Sequence, residues 1–303
     1  MTHLLAAARR DGYAVCYCEA WNLESFQAVI EAAEELRAPT IAGFNGGFLR
    51  HAGRSRPESL AYYAGFSLAL CRTEVPVAFL LNETDSLAQI QEGLDLGFNA
   101  VMVESEHLRL DKYRQLVKQV VKIAHKQNVS VEAQIGRLPA GWGATKCEGE
   151  ITDPVLARKF VEATGIDALG ISIGNVHILT QGKARVDLEA LRRVSTEVRV
   201  PLVLHGGSGI PAEAAREVIA LGVAKVNFGT LLKQAYLAAI RDKLAKYREP
   251  MSPHPFLGMG GHEDILVAGR EAVKLKVKEL LRTFGSAGKL GVSRGARGRS
   301  KSK

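Results

Sequence analysis

Long apolar runs are absent from this sequence. No stretch reaches the roughly 18 consecutive apolar residues needed to span a bilayer, so no membrane partner is expected. The first residues, Met1 to Arg10, also lack the extended apolar core of a signal peptide. Cysteine is scarce: Cys16, Cys18, Cys71 and Cys147 are the only four. Their spacing fits no metal finger, and Cys16 and Cys18 lie too close together to bridge easily. A reduced, cytoplasmic protein is the expectation. Acidic residues are in deficit, 32 against 40 Lys and Arg, for a formal charge of +8. That excess does not signal a nucleic-acid partner, because six of the basic residues, Lys289, Arg294, Arg297, Arg299, Lys301 and Lys303, fall in 288–303. With almost no apolar content, this segment reads as a disordered basic tail in solvent, and the body without it is close to neutral.

What the chain does have is a recurring unit. Its 303 residues, 47% of them hydrophobic, can bury a large core, and α/β barrels reach this size as one domain. Apolar runs suited to strands occur at Tyr13–Cys18, Thr40–Phe44, Val77–Leu81, Ala100–Glu104, Val129–Ile135, Ala168–Ile173, Leu202–Leu204 and Lys225–Phe228. They read as continuous rather than alternating, as strands buried on both faces should. Between them lie stretches of helical period. After Asn22, one stripe carries Leu23, Phe26, Val29, Ile30 and Ala33. Asp153-Pro154 and Ile210-Pro211 are helix openers, while Gly97, Gly165 and Gly222 stand where helices stop and strands begin. Eight such units predict a (β/α)₈ TIM barrel over residues 1–287, with an extra C-terminal helix at Glu263–Phe284. An open doubly wound sheet is the alternative.

In such a barrel, chemistry sits at the C-terminal ends of the strands. Polar residues gather there in this sequence: Asn82-Glu83-Thr84-Asp85 after the third run, Glu104 to His107 after the fourth, Asn175 and His177 after the sixth. Glu132 and Gln134, two apart on the fifth, share one face. His205-Gly206-Gly207-Ser208-Gly209 follows the seventh run and Asn227-Phe228-Gly229-Thr230 ends the eighth. His177 and His205, on neighbouring strands, are candidate ligands for a divalent metal. Glu83 completes a His₂Glu set, and Glu132 is a further candidate. The two glycine turns are candidate phosphate loops, since backbone N–H groups and a helix N-terminus favour an anion.

These motifs resemble the class II, metal-dependent fructose-bisphosphate and tagatose-bisphosphate aldolases. The likeness runs through most of residues 10–285. It is carried by Val-Pro-Leu-Val-Leu-His205-Gly-Gly-Ser-Gly, Lys225-Val-Asn227-Phe-Gly-Thr, Ile173-Gly-Asn-Val-His177, Val131-Glu-Ala-Gln-Ile-Gly136 and Phe284-Gly-Ser-Ala-Gly-Lys289. The resemblance implies a homodimer or larger homo-oligomer, with Zn²⁺ or another divalent metal held by strand-end histidines. It implies aldol cleavage of a sugar phosphate to dihydroxyacetone phosphate and an aldehyde. Gly206, Gly207, Ser208, Gly209, Asn227, Gly229 and Thr230 then bind substrate.

The family's proton-shuttling aspartate falls on Asn82, and its first ligand histidine falls on Glu83. Asparagine does not exchange protons near neutral pH, which turns attention to Asp85 and Glu148 as the acid–base groups. Two alternatives stay open: another reaction on a related sugar phosphate, and a catalytically silent paralogue with a binding or regulatory role.

Overall fold

Strands form where the apolar runs lie, and each is buried on both of its faces. In the computed structural model, which describes residues 1–70, 72–104, 108–138 and 150–291, they are β1 (Val15–Glu19), β2 (Thr40–Asn45), β3 (Val77–Thr84) and β4 (Ala100–Val103). The remaining four are β5 (Ser130–Ile135), β6 (Ala168–Ile171), β7 (Leu202–Leu204) and β8 (Val223–Phe228). They pair in sequence order, and β8 closes onto β1 as a parallel neighbour. The result is a closed (β/α)₈ barrel, which removes the open-sheet alternative.

Two apolar layers hold it together. Between barrel and helices, Phe26, Phe44, Phe79 and Phe98 pack as a group, with Phe79 and Phe98 stacked at 4.1 Å between ring centroids. Inside the barrel, Val15, Tyr17, Ile41, Ala78, Leu80, Met102 and Val203 form a second cluster. Leu5 and Ala8 join it from a helix at Thr2–Asp11 that the sequence reading did not include. This helix is tied to the start of β5 by Thr2 N–H donating to Ser130 Oγ at 3.0 Å. It therefore covers the N-terminal mouth of the barrel and leaves the opposite mouth for chemistry.

The helix signals behave as their residues require. Asn22 accepts from Ser25 N–H in a capping box, and Asp153 accepts from Leu156 N–H with Pro154 in the first turn. Gly97, Gly165 and Gly222 all take positive φ. Leu23 departs from its expected stripe and is exposed, whereas Phe26, Val29, Ile30 and Ala33 are buried. Pro211 opens a 3₁₀ turn before the helix Ala215–Ala220. The C-terminal helix spans Ile265–Thr283 and packs outside the barrel against Leu23–Glu35, with Val273, Val277 and Leu281 buried. Residues 289–291 of the expected tail form a short 3₁₀ turn, held by Gly288 and Leu290 N–H donating to the carbonyls of Leu36 and Arg37. The rest of the tail lies outside the described residues.

Candidate active site

Going up each strand, the inward positions change from apolar to polar. On β1 they run Val15, Tyr17, Glu19, and on β3 Ala78, Leu80, Asn82, because the side-chain period of a strand is two. The polar ends surround a cavity of about 310 Å³ at the C-terminal mouth.

At the end of β3, strict alternation would turn Glu83 away from Asn82. Both nevertheless line the cavity. Glu83 takes φ +52, and the pairing of β3 with β4 slips between Leu81 and Thr84. This left-handed turn swings the carboxylate back over the mouth. Ile178, beside His177, has φ +55; a β-branched residue there is strained. Strain of this kind, about 1–3 kcal/mol per residue, collects at functional sites.

Glu83 is the hub of a polar network. Asn82 Nδ2 donates to its Oε1 at 2.9 Å, and Asn45 Nδ2 donates to its Oε2 at 2.5 Å. Oε1 also lies 3.6 Å from His177 Nε2 and 3.5 Å from His205 Nδ1. Burial alone raises the Glu83 carboxyl pKa, but polar contact with His205 and attraction to His177 outweigh it and hold it well below the usual range. Behind the histidine, His205 Nε2 meets Glu132 Oε1 at 2.9 Å, and Lys225 Nζ donates to Glu132 Oε2 at 2.7 Å. Burial lowers the pKa of His205, yet hydrogen bonding to Glu132 and Glu83 raises it overall.

On the other side, Gly206 takes φ +67, and a Cβ there would meet the Val176 carbonyl oxygen at 2.1 Å. Only glycine fits. Ser208 Oγ accepts from Leu231 N–H at 3.2 Å, so the turns after β7 and β8 are tied together. The turn after β8 opens the helix Thr230–Leu244.

The cavity gathers Asn82, Glu83, His177, His205, Gly206, Ser208, Asn227, Gly229 and Thr230. Gly207 and Gly209 are buried within the turn itself. Three expected site residues stand differently. Asp85 follows the left-handed turn outward, where it is 42% exposed and 3.7 Å from Arg50; it does not line the cavity. Glu132 has both oxygens engaged and sits behind His205. Glu148, like Glu106 and His107, lies outside the described residues.

Tyr17, Glu19, Asn45, Phe48 and Lys233 also line the cavity and were not singled out from the sequence. The rule that flagged Asn82 would have found Glu19 and Asn45, which end their own apolar runs. Buried polar atoms face this space without partners among the described residues: Tyr17 Oη, Asn82 Oδ1, and both amide atoms of Asn227. Such atoms are costly unless a ligand or water satisfies them.

The family model described as class II fructose-bisphosphate aldolase matches residues 1–289. A fructose-bisphosphate aldolase of Staphylococcus aureus strain Mu50 is 33% identical over 297 residues, covering 95% of this chain and 97% of its own. Among solved structures, the YdjI aldolase from Escherichia coli K12 superposes with TM-score 0.78 at 29% identity, covering 95% of this chain and 98% of that one. A putative fructose-1,6-bisphosphate aldolase from Coccidioides immitis gives TM-score 0.78 at 26% identity, covering 95% and 96%. No helix among the described residues is long and apolar enough to cross a membrane.

Proposed function

This chain belongs to the class II fructose-bisphosphate aldolase family, a family of metal-dependent lyases, and from that premise we propose that it cleaves a ketose phosphate into dihydroxyacetone phosphate and an aldehyde, using a divalent metal, zinc first among them, held by Glu83, His177 and His205. The observation that carries this reading is the convergence of those three side chains on one cavity that also holds unpartnered polar atoms.

The donor set fits a metal. Tetrahedral zinc with bonds of about 2.0–2.1 Å keeps its donors roughly 3.4 Å apart. Glu83 Oε1 lies 3.6 and 3.5 Å from its two histidine nitrogens. His205 gives its Nε2 to Glu132, which leaves Nδ1 to face the cavity; an outer carboxylate that fixes a ligand imidazole is a recurring device. Among the described residues no group of three or more His, Cys, Asp and Glu is already set to hold a metal ion, so on this reading Glu83, His177 and His205 draw together around the incoming ion. When bound, the metal supplies Lewis-acid stabilisation of negative charge on a carbonyl oxygen.

The protein's own groups do the rest. The turns Gly206–Gly209 and Asn227–Thr230 receive the phosphate, with backbone N–H groups and the start of a 15-residue helix as counter-charge. Asn82 Oδ1 and the Asn227 amide orient substrate hydroxyls. Ile178 and Phe48 wall the cavity and limit water. The reading includes a cytoplasmic homo-oligomer, and the buried free thiols of Cys16 and Cys18 agree with a reducing compartment.

Metal analysis and turnover test it. The purified protein is expected to carry one divalent metal per chain, lost in His177→Ala and Glu83→Ala, and to release dihydroxyacetone phosphate from fructose 1,6-bisphosphate. Protein that refuses metal overturns the reading. Metal without cleavage of this or related ketose phosphates points to the binding-only alternative, in which Asn82 marks lost acid–base chemistry.

A further inference from the structure

Aldol cleavage needs a group that takes the proton from the carbinol hydroxyl as the carbon–carbon bond breaks. Among the described residues that line the cavity, the titratable ones are Tyr17, Glu19, Glu83, His177, His205 and Lys233. Glu83, His177 and His205 are committed to the metal. Asn82 has no proton to exchange. The phenol of Tyr17 is buried, and burial and nearby carboxylates push its pKa well up, so it can offer a substrate a hydrogen bond but not take its proton. What remains is a carboxylate and an ammonium in contact: Glu19 Oε1 and Lys233 Nζ, 2.6 Å apart.

We propose that Glu19, at the C-terminal end of β1, is the proton-accepting carboxylate of this site, positioned by Lys233 and Gly229 and aided by Tyr17. The inference rests on the aldolase reading above and adds a residue to it.

Several independent placements support this assignment. Glu19 is two residues from Tyr17 on one strand, so both side chains face the barrel interior. Tyr17 Oη is buried and has no partner among the described residues, which equips it to hold a substrate hydroxyl beside the carboxylate. Space for Glu19 is built into β8's turn: a Cβ on Gly229 would meet Glu19 Oε2 at 2.3 Å, so any larger residue there displaces the carboxylate. Lys233 is itself fixed over the Phe48 ring at 4.7 Å and the Trp21 ring at 5.8 Å. The groups that face Glu19 are Lys233 from the helix Thr230–Leu244, Glu83 from β3 and Tyr17 from its own strand. Burial raises the carboxyl pKa of Glu19, Lys233 opposes this, and the net direction is upward, toward the range in which a carboxylate exchanges protons.

The step balances. The bond between the carbinol carbon and the carbon beside the ketone breaks, and its electron pair moves toward the ketone oxygen. The carbinol oxygen becomes the aldehyde oxygen, and its proton passes to Glu19. Glu19 then gives that proton to water, and the enolate carbon takes one from water.

Metal-loaded wild-type, Glu19→Gln, Glu19→Asp and Lys233→Met proteins test the assignment in two assays. The first is cleavage of fructose 1,6-bisphosphate. The second is deuterium exchange into dihydroxyacetone phosphate, which forms the enolate by loss of a C–H proton, with no carbon–carbon bond broken and no carbinol hydroxyl deprotonated. Glu19→Gln is expected to lose at least about 100-fold in cleavage and to keep exchange within about twofold, which also shows that fold and metal are intact. Glu19→Asp recovers part of the cleavage. Lys233→Met moves the acidic limb of the kcat/KM profile to higher pH, because the carboxylate loses its counter-cation. Cleavage at the wild-type rate by Glu19→Gln, or equal loss of exchange and cleavage, overturns the role. A wild-type protein inactive in both assays removes the aldolase reading, and this proposal falls with it.

Discussion

Lys225 Nζ stands 2.7 Å from Glu132 Oε2, and neither side chain has any exposed surface. Two charges taken out of water are tolerable only when paired and fully hydrogen-bonded. Here the pair does more than balance itself, since the second oxygen of Glu132 holds His205 Nε2 at 2.9 Å. Lys225 thereby fixes the ionised form of Glu132, and Glu132 fixes which nitrogen His205 offers to the cavity. A lysine with no access to the cavity thus acts on it through two intermediaries.

Glu132→Gln tests that chain. The amide cannot accept from both neighbours with equal strength, so the imidazole loses its fixed orientation. On the metal reading proposed above, affinity for zinc is expected to fall about 10–100-fold, the usual loss when such an outer carboxylate is changed. Competition with a chromophoric chelator measures it. Because Lys225 keeps its charge without a full partner, unfolding free energy should also drop, by about 3–5 kcal/mol at the upper end. Unchanged zinc affinity in a folded Glu132→Gln protein would falsify the positioning role.

How far the sequence reveals this molecule depends on the kind of signal. All eight strands lie where the continuous apolar runs do, because a strand buried on both faces leaves a one-dimensional mark. His177, His205 and the glycine turns are legible for a similar reason: they follow those runs directly. Asp85 misleads because proximity to a strand end says nothing of direction. One left-handed residue, Glu83, turns the chain outward, and no local pattern announces a positive φ at a glutamate. Glu19 is hard to see in the sequence because the apolar run of β1 ends at Cys18, one residue before the strand does. The helix Thr2–Asp11 leaves little trace in the sequence because its buried side is reduced to Leu5 and Ala8, too short a stripe to stand out by period.

Asp264 makes a pH-dependent prediction. Its carboxylate caps the helix Ile265–Thr283 by accepting from Leu266 N–H at 2.9 Å. It also gathers the preceding loop, accepting from Gly258 N–H at 2.8 Å and Gly260 N–H at 3.0 Å. Burial raises its pKa, but these backbone donors outweigh that and the net shift is downward from 3.8. A carboxyl depressed in the folded state stabilises it above the unfolded pKa, and the contribution is lost as pH falls through the folded value. Asp264→Ala is therefore expected to cost about 1 kcal/mol at pH 7. The gap between mutant and wild type should close progressively below pH 4. Urea titrations at both pH values measure it, and a gap that stays constant in acid means the cap works without its charge.

Leu5 offers a test of the covered mouth. Its side chain has no exposed surface and joins the interior cluster with Val15, Tyr17 and Ile41. Truncation to alanine removes three carbons from a space bounded by rigid strands, which cannot collapse to fill it. Leu5→Ala should cost about 2–5 kcal/mol of unfolding free energy. Its effect on the catalytic mouth should be small, because Tyr17 and the polar layer stand between the two ends of the barrel. Unfolding in urea gives the first quantity, and zinc affinity at 25 °C gives the second. A large stability loss with zinc affinity unchanged within about twofold identifies the N-terminal helix as a plug. A matching loss of zinc affinity instead means that the packing of Leu5 is transmitted up the barrel interior to His205 and Glu83.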